Sequence, residues 1–404
     1  MTSSSWGARW TPTRPGSACG SRSWDSTWFG APPWATTTAL DDAELVVATG
    51  GLGPTADDRT REAVADLLDA PLELDVRLLE ALKERFRESG IAPFPASNEG
   101  QAMVPRGARV LSNPHGTAPG LALEREGSWV VLLPGVPREM KGIWEEELRS
   151  VLAGLFDGRL RPAWHRTLHT TGIPESRLSE EVERLLPRER GPVELAYLPD
   201  LRGVDLRFTA RGERAAAEAW FDRLEAALEP YLRGYRFRAE QGDLVEAVAA
   251  ALERRGLTLA TAESCTGGLI SKRLTDRAGA SAWYVGGVVA YADAVKIREL
   301  GLEPAVLERE GAVSEAVARA MAEGVARRMG TDAGIGITGV AGPTGGTEAK
   351  PVGLVWYAAH VGGRTRAGHR RFPGDRESVR ERSGQAALAL LLGLVEAPDS
   401  QEAT

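Results

Sequence analysis

The sequence predicts a multidomain α/β protein: an α/β layered domain, then a small α+β domain, then a second α/β domain. Its 404 residues exceed the ~100–200 residues of an ordinary domain. Hydrophobic residues make up 43% and charged residues 26% of the chain, as in soluble globular proteins. Strand-like apolar runs alternate with helical patterns, and the order of these elements changes twice along the chain.

The first forty residues differ from the rest of the sequence. They are rich in Ser, Thr, Gly, Pro and Arg, show no helical or strand periodicity, and contain Trp6, Trp10, Trp24, Trp28 and Trp34. A disordered tail is one interpretation, but such tails are usually poor in aromatic residues. Our hypothesis is that residues 1–40 are aberrant, translated from the wrong frame or from a wrongly assigned start. The upstream DNA tests this hypothesis. If no alternative reading frame there encodes a strand, a turn and a helix, the hypothesis is wrong.

Regular patterning begins near Asp41 and predicts a first α/β domain over residues 41–160. Its predicted strands are Glu44–Thr49 (a buried strand), Arg109–Leu111 and Trp129–Leu133. Its predicted helices are Arg59–Leu68, Leu74–Arg87 and the helix in PGVPREMKGIWEEEL. The segment NPHGTAPG is predicted to be a loop between the last two strands.

Residues 164–238 predict a small α+β domain of β-α-β-β-α order. Its predicted strands are His165–Thr171, Val193–Leu198 and Val204–Thr209, and its predicted helices are Glu175–Leu186 and Glu213–Leu228. Pro230 and the pair Gly242–Asp243 are predicted to mark the end of this domain.

Residues 243–398 predict the last α/β domain. It opens with a helix, Leu244–Arg255, capped by Asp243. The strands LTLATAE, VGGVVAY and DAGIGITG follow, separated by helices, and a hairpin and the helix RESVRERSGQAALALLLGLV close the domain.

Composition excludes several classes of function. A net charge of −7 and the lack of a Lys/Arg run argue against direct nucleic-acid binding. Two cysteines, Cys19 and Cys265, cannot form a disulfide framework or a cysteine zinc site. The longest apolar run, Ala386–Val395, is too short to span a membrane, and the N-terminus has no apolar signal segment. We therefore expect a cytoplasmic protein that binds neither membranes nor nucleic acid.

The strongest chemical signal is the segment Ala262-Glu263-Ser264-Cys265-Thr266-Gly267-Gly268. A serine between a strand and a glycine-led helix exposes its hydroxyl at the carboxyl edge of a sheet, near backbone N–H groups that suit an oxyanion or a phosphate. Ser264 is therefore a candidate nucleophile, and Thr266, Gly267 and Gly268 are candidate substrate contacts. The alternative is that Ser264 or Thr266 only caps the helix.

A serine nucleophile needs a base, and Lys296 is the candidate. His360 and His369 fall in the predicted hairpin, whereas Lys296 follows the strand that is predicted to end at Tyr291. A desolvated lysine can lose its proton near neutral pH, and Tyr291 could orient it or donate to a leaving group. The alternatives are an exposed helix lysine and a packed aromatic residue at a strand end.

A second glycine-rich loop, ITGVAGPTGG at residues 337–346, also follows a predicted strand. Small residues such as Gly339, Gly342 and Gly345 let the backbone approach a ligand closely. Because ligands of open α/β sheets gather at the carboxyl ends of strands, two such loops in one domain favour a binding site.

The first domain has its own candidate site in TGGLGPTADD. Its glycines would admit a phosphate and its carboxylates could hold a divalent cation. The residues concerned are Gly50, Gly51, Gly53, Asp57 and Asp58. The alternative is a sharp turn followed by acidic residues that complement a helix N-terminus.

Several long motifs resemble the CinA proteins, the competence/damage-inducible protein A family. They are TGGLGPTADDRT, PASNEGQAMVPRGA, NPHGTAPG, LPGVPREM, AESCTGGLIS, GGVVAYADAVK, GAVSEAVA and ITGVAGPTGG, in this order over about residues 41–396.

The resemblance implies a first domain similar to molybdopterin-binding MoaB/Mog proteins, a KH-like middle domain and a last domain similar to nicotinamide mononucleotide amidohydrolase. It implies Ser264 as nucleophile, Lys296 as its activator, Tyr291 and Thr338 as partners and Arg376 as a substrate contact. It also implies a small nucleotide substrate, no cofactor for the amidohydrolase, and a homodimer.

Residues 1–40 lack the GTELL-type loop and the DTN segment with which intact relatives open, so the first domain is expected to lack its first β-α unit. Two alternative functions remain at this stage. One is a metal-dependent ADP-ribose pyrophosphatase in the first domain; the other is a non-catalytic protein that binds a nucleotide or a molybdopterin-type ligand.

Overall fold

The computed structural model describes residues 43–157 and 162–397. The hypothesis on residues 1–40 and the predicted domain ends at 160 and 398 lie outside these described residues. The chain divides into two compact units, one holding residues 43–157 and the other holding residues 162–397.

The first unit is a mixed α/β domain with two small sheets. Its elements are β1 (Leu45–Thr49), α1 (Thr60–Leu67), β2 (Leu72–Leu74), α2 (Val76–Glu88), β3 (Met103–Pro105), β4 (Arg109–Leu111), β5 (Gly120–Arg125), β6 (Ser128–Leu133), α3 (Pro137–Ile143) and α4 (Arg149–Leu155), the last two joined by a π turn. The larger sheet has the order β1-β6-β5-β4, with β1 parallel to β6 and the other pairs antiparallel; β2 pairs with β3.

Two details of this domain correct the sequence analysis. β1 forms as predicted but is not a buried strand: it is an edge strand of the described sheet, and its Val47 is 43% exposed. The strand β5 was missed because its buried residues are consecutive and show no alternating pattern. β5 matters for the core, since Leu121, Ala122 and Leu123 are almost completely buried.

The middle domain has the predicted β-α-β-β-α order. Its elements are β7 (Ala163–Thr170), α5 (Glu175–Leu185), β8 (Glu194–Pro199), β9 (Val204–Arg211), α6 (Arg214–Leu232) and the short β10 (Arg236–Phe237). All strands of its sheet, ordered β10-β7-β9-β8, are antiparallel. Pro230 does not mark the exit as predicted but lies inside α6. Leu228 and Leu232 on either side of it are fully buried, and their packing offsets the cost of about 3 kcal/mol for an interior proline.

The last domain is built on a five-stranded sheet of order β12-β11-β13-β14-β15. Its elements are α7 (Leu244–Arg255), β11 (Leu259–Glu263), α8 (Leu269–Thr275), β12 (Tyr284–Val289), α9 (Asp293–Leu300), α10 (Pro304–Glu310), α11 (Glu315–Met329), β13 (Ala333–Gly339), β14 (Leu354–Val361), β15 (Arg364–Arg371) and α12 (Arg376–Val395). β12, β11 and β13 are parallel, and β14 and β15 form the predicted antiparallel hairpin. The helix α10 was not predicted, and β12 ends two residues before Tyr291.

Two hydrophobic layers cover the faces of this sheet. Side chains of α7, α8 and α12 pack on one face with Leu259, Ile335 and Ile337. Side chains of α9 and α11 pack on the other face with Ala260 and Ala262. The alternation AGIGITG in β13 follows from this arrangement, because a Cβ at Gly336 would lie 2.3 Å from the carbonyl oxygen of Ala318 in α11. Glycine therefore allows α11 to lie directly on the strand.

Within the described ranges, no helix combines the length and the apolar character needed to cross a membrane.

Candidate active site

The candidate residues of the last domain meet at the carboxyl edge of three adjacent parallel strands. Ser264 directly follows β11, Tyr291 follows β12, and Thr338 is the next-to-last residue of β13. β11 pairs with both neighbours, with Glu263 opposite Val289 on one side and Ile337 on the other. The sheet thus brings together residues that lie up to about seventy positions apart in the sequence.

Glu263 organises the turn that carries Ser264. Its carboxylate is 1% exposed and accepts hydrogen bonds from the backbone N–H of Gly268 (3.0 Å), Ile270 (3.0 Å) and Ser271 (2.8 Å). The hydroxyl of Ser271 donates to it as well, at 2.7 Å. The first residue of the cap, Gly268, has φ +94°, which favours glycine. Glu263, the last residue of β11, therefore accepts hydrogen bonds from the N–H groups at the N-terminus of α8.

The hydrogen bonds of Glu263 argue against the alternative that Ser264 or Thr266 only caps the helix. No side chain at the cap position of α8 accepts a hydrogen bond, and Glu263 satisfies the orphan N–H groups instead. The Ser264 residue is 8% exposed, and its hydroxyl makes no hydrogen bond to any residue that the structure describes. The interpretation that Ser264 or Thr266 caps the helix is wrong, and the hydroxyl of Ser264 is free to act on a ligand.

The N–H groups available for an oxyanion differ from those expected. The N–H of Gly267 donates to the carbonyl of Ser264 at 3.2 Å, and that of Gly268 donates to Glu263. Within the described chain the N–H groups of Cys265 and Thr266 make no hydrogen bond to another residue. Of the three predicted contacts, only Thr266 therefore offers a free N–H, and Cys265 offers a second one that the sequence analysis missed.

Cys265, next to the candidate nucleophile, is not a competitor for its role. Burial raises the pKa of the Cys265 thiol to about 12, so it stays protonated at neutral pH. The thiolate is the nucleophilic form of cysteine, and here it is almost absent.

Lys296 is buried in α9 close to Tyr291. The residue is 1% exposed, and its Nζ donates to the carbonyl of Tyr291 (3.1 Å) and to Oδ1 of Asp293 (3.0 Å). The alternative of an exposed helix lysine is therefore wrong. Tyr291 is 62% exposed rather than packed at a strand end, so its phenol is accessible to a ligand. Asp293 is a site residue that the sequence analysis missed, although its position three residues before Lys296 on a helix could have indicated it.

Arg376 connects the second glycine-rich loop to Tyr291. Its Nη1 donates to the carbonyl of Gly342 at 2.8 Å, and its Nη2 donates to the phenol oxygen of Tyr291 at 3.4 Å. Gly342 has φ +82°, a conformation that favours glycine. The loop from Gly339 through Gly345 therefore lies beside Arg376, at the first turn of α12.

Thr338 and Arg380 hold neighbouring segments in place. The Thr338 hydroxyl donates to the carbonyl of Ala312 at 2.7 Å, and the residue is 1% exposed. Arg380 lies one turn beyond Arg376 on α12 and donates from Nε (3.0 Å) and Nη2 (2.5 Å) to the carbonyl of Thr266. Arg380 was missed, although the spacing of four residues from Arg376 indicated the same helix face. Glu263, Arg380 and Thr338 position the site, whereas Ser264, Lys296, Tyr291 and Arg376 surround it.

The candidate site of the first domain is a tight turn. The Asp58 Oδ2 accepts from the backbone N–H of Thr55 at 3.0 Å and from its hydroxyl at 2.5 Å. Desolvation alone would raise the pKa of Asp58, but these hydrogen bonds hold it below its ordinary value. A Cβ at Gly53 would lie 2.4 Å from Oδ2 of Asp58, and one at Gly51 would lie 2.0 Å from Oγ1 of Thr60. Turn formation therefore explains Gly51, Gly53 and Asp58.

The remaining residues of that turn have less definite roles. Gly50 has φ +91°, and Asp57 is exposed. Among residues 43–157 and 162–397 no three His, Cys, Asp or Glu side chains gather as a metal site would require. A metal held by Asp57 and Asp58 stays a prediction.

The fold and the site define a three-domain α/β protein whose last domain carries a serine turn and a buried lysine at one sheet edge. Three family models match it: "Probable molybdopterin binding domain" over residues 35–154, "Damage-inducible protein CinA KH domain" over 165–237, and "CinA C-terminal domain" over 241–395.

Several relatives match most of the chain. A CinA-like protein of Gemmatimonas aurantiaca is 44% identical over 352 residues, which cover 87% of this chain and 82% of the relative. A CinA-like protein of Akkermansia muciniphila is 43% identical over 353 residues, covering 87% and 83%. The chain belongs to the CinA family. Among solved structures, the competence damage-inducible protein A of Klebsiella pneumoniae is 38% identical, covers 38% of this chain and 97% of its own, and has a TM-score of 0.37.

Proposed function

We propose that the last domain is a nicotinamide-nucleotide amidohydrolase, which converts nicotinamide mononucleotide to nicotinate mononucleotide and ammonia. One observation carries the proposal: the unpartnered Ser264 hydroxyl lies at the same sheet edge as buried Lys296 and as Tyr291 and Arg376. The resemblance of this domain to nicotinamide mononucleotide amidohydrolases supplies the substrate.

In the proposed reaction Lys296 is the general base that accepts the proton of Ser264. The Ser264 oxygen attacks the carboxamide carbon of the substrate. The N–H groups of Cys265 and Thr266, which are free in the described chain, stabilise the oxyanion. Protonated Lys296 returns the proton to the leaving nitrogen as the carbon–nitrogen bond breaks, and ammonia departs.

Water then hydrolyses the acyl-enzyme. Lys296 takes a proton from the water, the resulting hydroxide attacks the acyl carbon, and the Ser264 hydroxyl is regenerated as nicotinate mononucleotide leaves. Arg376 and the Gly339–Gly345 loop hold the phosphate or the ribose of the substrate. These steps use no cofactor.

The test is the release of ammonia from nicotinamide mononucleotide by the full chain without added metal. Ser264→Ala is expected to lower kcat by about 10³-fold or more, because a nucleophile cannot be replaced by neighbouring groups. Ser281→Ala is the matched control, since Ser281 is an exposed serine of the same domain. Near-normal turnover by a folded Ser264→Ala variant would contradict the proposal.

The remaining expectations are tested beside this assay. ADP-ribose with Mg²⁺, with and without Asp57→Asn, tests the pyrophosphatase alternative; no contact among residues 43–157 favours it over a structural turn. Saturable nucleotide binding without turnover would favour the non-catalytic alternative. Light scattering tests the proposed homodimer, and localisation of a tagged chain tests the proposed cytoplasmic location.

A further inference from the structure

The middle and last domains enclose a cleft of about 260 Å³ that lies away from Ser264. We call it the interdomain cleft; α6 and β10 of the middle domain form one wall, and α7 and the end of α12 form the other. Phe237, Ala250 and Leu392 contribute apolar surface to its lining. Because about 24 Å separate Leu392 from Arg376 along α12, the cleft is distinct from the candidate active site.

The lining of the interdomain cleft carries more positive than negative charge. Four arginines, Arg233, Arg236, Arg238 and Arg254, contribute to it together with only two glutamates, Glu229 and Glu396. Like charges gathered around one cavity repel each other unless an anion neutralises them. The excess of positive charge here contrasts with the net charge of −7 for the whole chain.

Ion pairs engage only part of the arginine charge, and Arg254 pairs with Glu396 at 3.4 Å. Arg236 pairs with Glu225 (2.6 Å) and Glu229 (2.9 Å), yet its Nε is buried without a hydrogen-bond partner. Arg233 and Arg238 are exposed and make no hydrogen bond or ion pair within the described chain. The cleft therefore presents the unpaired guanidinium groups of Arg233 and Arg238 to an anion.

We propose that the interdomain cleft binds a small molecule that carries a phosphate group. Guanidinium groups match phosphate oxygens with paired hydrogen bonds, and the apolar lining accommodates the rest of a small ligand. The volume is near the lower end for ligand pockets, ~300–1,000 Å³, so a dinucleotide does not fit. Because both domains supply arginines, the bound phosphate ties the middle domain to the last one. This proposal does not depend on the amidohydrolase reaction.

The test is calorimetric titration of the full chain with inorganic pyrophosphate at constant ionic strength. The double variant Arg233→Ala/Arg238→Ala is expected to raise the Kd at least tenfold. Arg177→Ala/Arg188→Ala, which removes two exposed arginines elsewhere in the middle domain, is the matched control and should leave the Kd unchanged. Arg376→Ala should also leave it unchanged, which separates the cleft from the candidate active site.

Hydrogen exchange with and without pyrophosphate locates the binding. Protection is expected in residues 229–254 and 392–396. Each of the following results would overturn the proposal: no saturable binding, the same Kd in the double variant as in the unaltered chain, or protection confined to residues 264–268 and 339–346. Citrate of similar charge that binds as tightly as pyrophosphate would overturn the assignment to phosphate.

Discussion

Replacing Glu263 by glutamine tests how the serine turn is held. In the structure, Oε2 of Glu263 accepts from the N–H groups of Gly268 and Ile270, and Oε1 accepts from the N–H and the hydroxyl of Ser271. The glutamine side chain keeps one acceptor oxygen and replaces the other by a donor. Its oxygen can keep the first pair of hydrogen bonds, and its NH₂ can donate to the Ser271 hydroxyl. The N–H of Ser271 then loses its partner.

The loss can be estimated from these contacts. A hydrogen bond to a charged group contributes about 1.5–3 kcal/mol, and a negative charge at a helix N-terminus contributes a further ~0.3–1 kcal/mol, more when partly buried. Glu263 is 1% exposed, so solvent does not compensate. We expect Glu263→Gln to lower the free energy of unfolding of the last domain by about 3 kcal/mol.

Hydrogen exchange of the full chain, read peptide by peptide, measures this free energy for β11 and α8 without interference from the other domains. Glu315→Gln is the matched control: Glu315 lies in the first turn of α11 but is exposed, and among the described residues it pairs only with Arg319. It should change the unfolding free energy by less than about 1 kcal/mol. If exchange in Glu263→Gln matched the unaltered chain to within ~0.5 kcal/mol, the role given to the Glu263 carboxylate would be refuted.

Two further predictions concern stability. Asp243 contacts Arg273 (3.0 Å) and Arg202 (3.0 Å); burial alone would raise its pKa, but the N–H of Val245 and these arginines hold it below its ordinary value. The contribution of Asp243 to the stability of the fold is therefore present above about pH 4 and is lost as the pH falls further. Asp243→Asn should make the free energy of unfolding less dependent on pH in the acid range. The same dependence in the variant and in the unaltered chain would contradict this. Gly336→Ala places a Cβ 2.3–2.5 Å from backbone atoms of Ala318 and Ala322, and should cost about 1–3 kcal/mol in urea denaturation. Gly393→Ala, which has open space in a helix, should instead stabilise by up to ~1 kcal/mol, and equal effects of both variants would argue against the close approach of α11.

The last domain was predicted most completely, because its local signals agree with its packing. The closing helix matches the predicted segment from Arg376 to Val395, and Asp243 caps its helix as expected. The errors lie where tertiary contacts override local rules. Pro230 ends a helix by local rules, yet the fully buried Leu228 and Leu232 keep α6 intact around it. Val47 reads as a core residue from its apolar neighbours, but its side chain is 43% exposed, and apolar character alone does not tell which face of a strand is covered.

The sequence by itself determined the three-domain α/β order and the family, because long motifs and hydrophobic periodicity are local properties of the chain. It also indicated Ser264, Lys296, Tyr291, Thr338 and Arg376. Only the tertiary structure decided what these residues contact: Glu263 rather than Ser264 caps the turn, Lys296 is buried against Asp293, and Arg376 joins Gly342 to Tyr291. These contacts depend on strand order and helix packing, which bring together residues more than eighty positions apart, and no local pattern encodes them.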